Sequence, residues 1–216
     1  TKALEKKKNL IFLNNDIIFT KNWFIPLNEN TKNLSIPVNN QIFPYSSDCK
    51  KLQLKATMNL EDFNENYLLL DQIVENHMKK FKPNQKAQGL LMPFFCFKIP
   101  YKILDNVGYF DTNFIHGAED VDYRIRCIKK GHQVDFLLNS YLLHFHGKSS
   151  WDGGETRSQI KLRNELYTQV FLNKWGEVMT KIFISRKNFH ETLKEKNLTE
   201  TFQQGKFSEL IKKILN

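Results

Sequence analysis

The sequence predicts an α/β fold, a mixed sheet flanked by helices. Three observations carry that prediction. Short unbroken apolar runs bounded by polar residues, Leu10-Ile11-Phe12-Leu13 and the stretch 88–99 (QGLLMPFFCFKI), have the pattern of strands buried on both faces. Apolar positions at helical spacing recur between and after them, over 60–81 (Phe63, Tyr67, Leu70, Ile73, Val74, Met78) and over 119–130. Proline and glycine stand where such elements start and stop: Pro100 opens a helix, and Gly108 and Gly131 each close one.

Taken in order, residues 1–8 (TKALEKKK) read as the last turns of a helix with cations near its negative end, stopped by Asn9. The first strand follows, runs into Asn14-Asn15-Asp16 and resumes as Ile17-Ile18-Phe19. A polar triplet at the end of a core strand is where open α/β sheets bind ligands. Residues 28–57, rich in Asn, Pro and Ser, read as one strand and a long irregular segment. The 88–99 strand is broken or bent at Pro93. Val121, Arg124, Ile125 and Ile128 mark the buried face of the helix from Glu119 to Lys130. His132 to Leu138 and Tyr141 to Phe145 read as two strands. A Gly/Ser loop at 147–154, a long helix near 156–174 and two further amphipathic helices complete the chain.

Composition narrows the class. At 216 residues, with 41% hydrophobic and 25% charged residues, the chain can bury a core and is globular rather than disordered. No apolar run approaches the ~20 residues of a membrane span. The net charge is +9, but 27 of the 32 basic residues are Lys and only 5 are Arg. Nucleic-acid sites lean on the planar fork of Arg, and no nucleic-acid motif is present, so the expectation is no nucleic acid. Cys49, Cys96 and Cys127 form no Cys-x-x-Cys, which argues for reduced thiols and a cytoplasmic location.

Three clusters can carry chemistry. At Asn14-Asn15-Asp16 a carboxylate beside two amides can hold a hard divalent cation; an Asx-rich turn fits the same residues. In Glu119-Asp120-Val121-Asp122 the acids occupy the first turn of a helix, where the macrodipole favours them, with Asp120–Arg124 and Asp122–Arg126 as i,i+4 pairs. That arrangement serves stability, or it presents one carboxylate as a general base at a helix N-terminus. In His144-Phe145-His146 strand alternation puts both imidazoles on one face, as structural residues or as metal ligands.

The order of these clusters resembles the second half of a family 2 inverting glycosyltransferase of the GT-A fold. Residues 10–16 (LIFLNND) resemble its strand and DxD-type metal motif. Residues 108–111 (GYFD) are similar to its Gly-x-Phe-Asp, and 119–126 (EDVDYRIR) to its Glu-Asp-x-Asp helix start. Residues 144–149 (HFHGKS) resemble its His-x-x-Gly-x-Ser segment, and Arg163-Asn164 with Lys174 its Arg-Asn…Lys pattern. The sequence departs from the family at Asn14, often an acid there, at Ala118, commonly Gly, and at Thr112, frequently Glu.

The resemblance implies a GT-A fold, Rossmann-like, over residues 1–175, lacking its N-terminal nucleotide-binding βαβ half, with a helical extension over 176–216. A longer polypeptide is therefore expected. It implies metal-assisted transfer of a sugar, with inversion, from a nucleotide-diphospho-sugar donor to a hydroxyl of a glycan, lipid-linked or protein acceptor. Asp16 and His144 would hold a divalent cation, Mn²⁺ or Mg²⁺; Asp120 would be the base and Glu119 would orient the acceptor or support Asp120. Asn14 and Asn15 would lie against the donor, and Trp151 would cover donor or acceptor. A non-catalytic glycan- or nucleotide-binding remnant is the alternative. The last helix, with Phe207, Leu210, Ile211, Ile214 and Leu215 beside Lys206, Lys212 and Lys213, is expected to pack on the domain or to touch an anionic membrane peripherally.

Overall fold

The apolar runs pair into a six-stranded mixed sheet in the computed structural model of the chain, which describes residues 2–40, 60–115, 117–145 and 154–216. The strands are β1 (Leu10–Leu13), β2 (Ile17–Phe19), β3 (Leu34–Val38), β4 (Lys86–Ala87), β5 (Cys96–Ile99) and β6 (Val134–His144). Their order is β1-β5-β3-β6-β2, with β4 also on β6. Only β3 and β6 run parallel; β1 and β3 meet β5 antiparallel, and β2 and β4 meet β6 antiparallel. The chain is thus α/β with flanking helices.

β3 and β5 are buried at every position, as their apolar composition requires of strands in mid-sheet. β1 is different. Its sequence predicts burial on both faces, but it is an edge strand, and Phe12 is 49% exposed and Leu13 38%. An apolar run alone does not tell a central strand from an edge one. The 88–99 strand is also shorter than its apolar run. Only Cys96–Ile99 forms a strand, apart from an isolated bridge at Gly89, and the chain through Pro93 is irregular because proline donates no ladder hydrogen bond. The two strands expected at 132–138 and 141–145 are one, β6. Its register against β3 jumps from Pro37↔Leu137 to Val38↔Tyr141, so the expected break survives as an irregularity.

The helices in chain order are α1 (Lys2–Glu5), α2 (Phe24–Glu29), α3 (Leu60–Met78), α4 (Tyr101–Val107), α5 (Glu119–Lys129) and α6 (Arg157–Thr180). A π-helical turn (Lys181–Ser185) leads to α7 (Phe189–Glu195), α8 (Thr199–Gln203) and α9 (Phe207–Leu215). Pro100 precedes α4 and Gly108 (φ 85°) follows it, as anticipated. α6 starts in a capping box between Thr156 and Gln159 and is broken at Gly176, whose φ of 80° is not helical. Buried Lys98 of β5 donates from Nζ to the carbonyls of Leu27 and Asn28 at 2.9 and 2.6 Å, a cation placed on the negative end of α2.

Two apolar cores result. One lies between the sheet, α3, α4 and part of α5, with Ile36, Val74, Cys96, Ile103, Tyr123 and Phe136 among its members. The other joins Ile125 and Ile128 of α5 to Phe171 of α6 and to Phe189, Leu193, Phe207, Leu210 and Ile211 of the last helices. The apolar face of α9 is therefore already spent on the domain. Lys212 and Lys213 stay exposed, but Phe207, Leu210 and Ile211 are not available to enter a membrane. No helix among the described residues is long and apolar enough to cross one.

Candidate functional site

The turn Asn14-Asn15-Asp16 links β1 at one edge of the sheet to β2 at the other. Asn14 donates its backbone N–H to the Phe95 carbonyl (2.8 Å), which ends β1 beside β5. Asp16 opens β2, and the pairing Ile17↔His144 then brings His144, at the end of β6, against it. His144 Nε2 lies 3.0 Å from Asp16 Oδ1, and both side chains are about nine-tenths buried. Two further contacts fix the imidazole. Its ring stacks on Phe95 (5.0 Å between centroids, 18° between planes), and its backbone N–H donates to Asn40 Oδ1 at 3.0 Å. Burial lowers the His144 pKa, against the pull of the Asp16 carboxylate, so the ring is neutral near pH 7. Asn14 and Asn15 are exposed at the mouth of this pair.

Glu119 and Asp120 begin α5. Ala118, the residue before them, is in the left-handed region (φ 65°, ψ 1°). That conformation favours glycine over a residue with a Cβ. Asp120 accepts a hydrogen bond from the N–H of Val121 (2.7 Å), and the backbone N–H of Phe94 also favours its charged form. Desolvation, helped by neighbouring Glu119, still raises its pKa from 3.8 to about 6. Glu119 Oε2 is buried and has no hydrogen-bond partner among the described residues. Of the two expected ion pairs only one forms. Arg126 Nε contacts Asp122 Oδ2 at 2.9 Å, whereas Arg124 turns into the core and donates to the Leu90 carbonyl at 2.6 Å. Arg124 acts on Asp120 through space only.

Asp122, fully buried, is also held by Lys174 Nζ (2.7 Å) and Trp175 Nε1 (2.9 Å). Lys174 also bonds Asp111, whose pKa falls to about 2. The GYFD segment, the acidic helix start and Lys174 are thus one ionic network that fixes α5 against α6. Gly117 is the close-packed glycine of the site: a Cβ there would lie 2.3 Å from the ring of Tyr167 on α6.

Consecutive residues join the two acidic clusters. Phe95 touches Asn14 and His144, and Phe94 touches Asp120. Sequence reasoning singles out neither phenylalanine, nor Asn40 or Trp175. Their roles arise from contacts between distant segments, and only the position of Trp175 beside Lys174 offers a local signal. Trp151, His146 and the Gly-Lys-Ser stretch lie outside the described residues. Comparison with protein-family models, with curated proteins and with solved structures finds no match to this chain.

Proposed function

We propose that the chain is the acceptor-facing part of a GT-A glycosyltransferase, acting on a nucleotide-diphospho sugar with inversion. One observation carries the reading. The segment Phe94-Phe95 holds a carboxylate–imidazole pair on one side and a carboxylate with a pKa of about 6 on the other. An anion-neutralising centre beside a poised base is what displacement of a diphosphate by a hydroxyl needs.

The Asp16–His144 pair fits a divalent cation. Asp16 Oδ1 and His144 Nε2, 3.0 Å apart, would hold it, a carboxylate oxygen and an imidazole nitrogen being donors that a divalent cation accepts. Without the ion, Nε2 donates its proton to the Asp16 carboxylate; with it bound, the ring proton would sit on Nδ1 and the Nε2 lone pair would be free to give. No group of three or more His, Cys, Asp or Glu ligands stands among the described residues. A cation held by two side chains keeps positions for phosphate oxygens and water. When bound, it would neutralise charge on the departing diphosphate.

The chain's own residues do the rest. Asp120, ionised above about pH 6, takes the proton of the acceptor hydroxyl as the oxygen attacks the anomeric carbon. The carbon–oxygen bond to the diphosphate breaks on the opposite face, which inverts the centre. Glu119, adjacent in the first turn, helps keep the Asp120 pKa high and would orient the acceptor hydroxyl. Asn14 and Asn15, exposed beside Asp16, are available to the donor. The exposed apolar edge of β1 is where the strands of a nucleotide-binding half would add. Without that half, the alternative is a non-catalytic glycan- or nucleotide-binding remnant.

Donor hydrolysis and sugar transfer by the full polypeptide, with Mn²⁺ or Mg²⁺, separate these readings. Asp120→Asn and Asp120→Ala are expected to lose at least about 10²-fold in kcat. An unaffected variant removes the base assignment, and a wild-type chain that binds nucleotide or glycan without turnover favours the remnant.

A further inference from the structure

Four cationic side chains gather at the far end of α5 from Asp120. Arg126, Lys129 and Lys130 of that helix and its cap, with Lys174 of α6, line a cavity of about 460 Å³ together with Val107 and Trp175. Lys129 lies nine residues along the helix from Asp120, about 14 Å along the axis, so this is not the acidic site described above. The indole of Trp175 brings amines together: Lys129 Nζ lies 6.0 Å and Lys174 Nζ 5.7 Å from its ring centre.

Like charges crowded this way repel unless something neutralises them. Asp111 and Asp122 neutralise Lys174 and Arg126. Lys129 and Lys130 form no ion pair among the described residues. The guanidinium of Arg126 is already occupied, with Nε on Asp122, Nη1 on the Val107 carbonyl at 3.2 Å and its face 4.7 Å over the Tyr123 ring. Two lysines on the last turn suit the helix dipole, but that leaves both exposed ammonium groups at the cavity without an acceptor among the described residues. A phosphate group supplies one, since its oxygens match the point charges of Lys.

We propose that this cavity is a second anion site that takes a phosphate or diphosphate group, from a soluble metabolite or from a lipid headgroup. It is independent of the glycosyltransferase reading, because no residue of the Asp16, His144 and Asp120 cluster lines it.

The test is binding, not turnover. Inorganic pyrophosphate is titrated calorimetrically into the full chain, into Lys129→Gln/Lys130→Gln, and into Lys212→Gln/Lys213→Gln as a control of equal charge. All four lysines are exposed, so the fold is retained and is checked by circular dichroism. The expected result is at least tenfold weaker binding in the first variant and less than a twofold change in the control. In parallel, co-sedimentation compares phosphatidic acid vesicles with phosphatidylcholine vesicles. Lys129/Lys130-dependent binding to pyrophosphate assigns a soluble phosphate. The same dependence on phosphatidic acid alone assigns a headgroup. No binding of either probe, or equal losses in both variants, overturns the site.

Discussion

Replacing Asp120 by asparagine tests the electrostatics of the candidate base without any assay of turnover. In the folded chain its pKa is raised from 3.8 to about 6 by burial and by Glu119. A raised carboxyl pKa means that the folded state holds the proton more tightly than the unfolded state. The group therefore contributes fully below pH ~4, and its contribution is lost as pH rises through 6. The rise to about 6 corresponds to about 3 kcal/mol at the upper limit, most of which falls between pH 4 and pH 8. The amide introduced by Asp120→Asn does not titrate, and its Oδ1 still accepts from the N–H of Val121, so any change in that bond is the same at every pH. The stability difference between Asp120→Asn and wild type should rise across that range by up to about 3 kcal/mol, in the variant's favour. Urea unfolding at pH 4, 6 and 8 measures it. A difference that stays flat within about 0.5 kcal/mol, or falls, refutes the desolvated-carboxylate argument.

Other perturbations follow from the same contacts. Lys174→Met strips buried Asp122 of one of two cations and frees Asp111; we expect a loss of about 2–4 kcal/mol near neutral pH by chemical denaturation. The Asp111 share of that loss shrinks as acid takes the pH from about 4 toward 2, because its depressed pKa stabilises only above that window. Ala118→Gly relieves a left-handed alanine and should raise the thermal midpoint, by up to about 1 kcal/mol in stability. Gly117→Ala should cost more than ~1 kcal/mol and should cost much less in a Tyr167→Ala background, a coupling that a double-mutant cycle reads directly. Burial pushes Cys96 and Cys127 up to about 12, so a Cys49→Ser chain should react with a thiol reagent only on unfolding.

Local patterns foretell local structure. The helices at Tyr101–Val107 and Glu119–Lys129 are legible because Pro100, Gly108, the acidic first turn and Gly131 each act within one turn of chain. Asp16 and His144 are legible as candidates, but their contact is not, since it depends on β2 pairing with β6 across 128 residues. Arg124 shows the opposite failure. Helical spacing puts it near Asp120, and the cost of leaving the Leu90 carbonyl without a donor sends it elsewhere. Edge or centre is equally hidden for β1, because the run LIFL is the same whether one neighbour or two will pair with it.

The close spacing of Phe94 and Phe95 has a genetic consequence. Each residue serves a different half of the candidate site, and the strand that follows is pinned at Cys96 to Leu13. Point substitutions that keep an aromatic ring at 95, where it stacks on His144, and at 94, where it packs on Phe97, should be tolerated. A single-codon insertion or deletion between Met92 and Cys96 should not be, since it rotates one residue out of reach of its partner whichever way the chain adjusts. In a deep mutational scan, these few codons should accept only large apolar replacements, as their burial requires, and should be closed to changes of length.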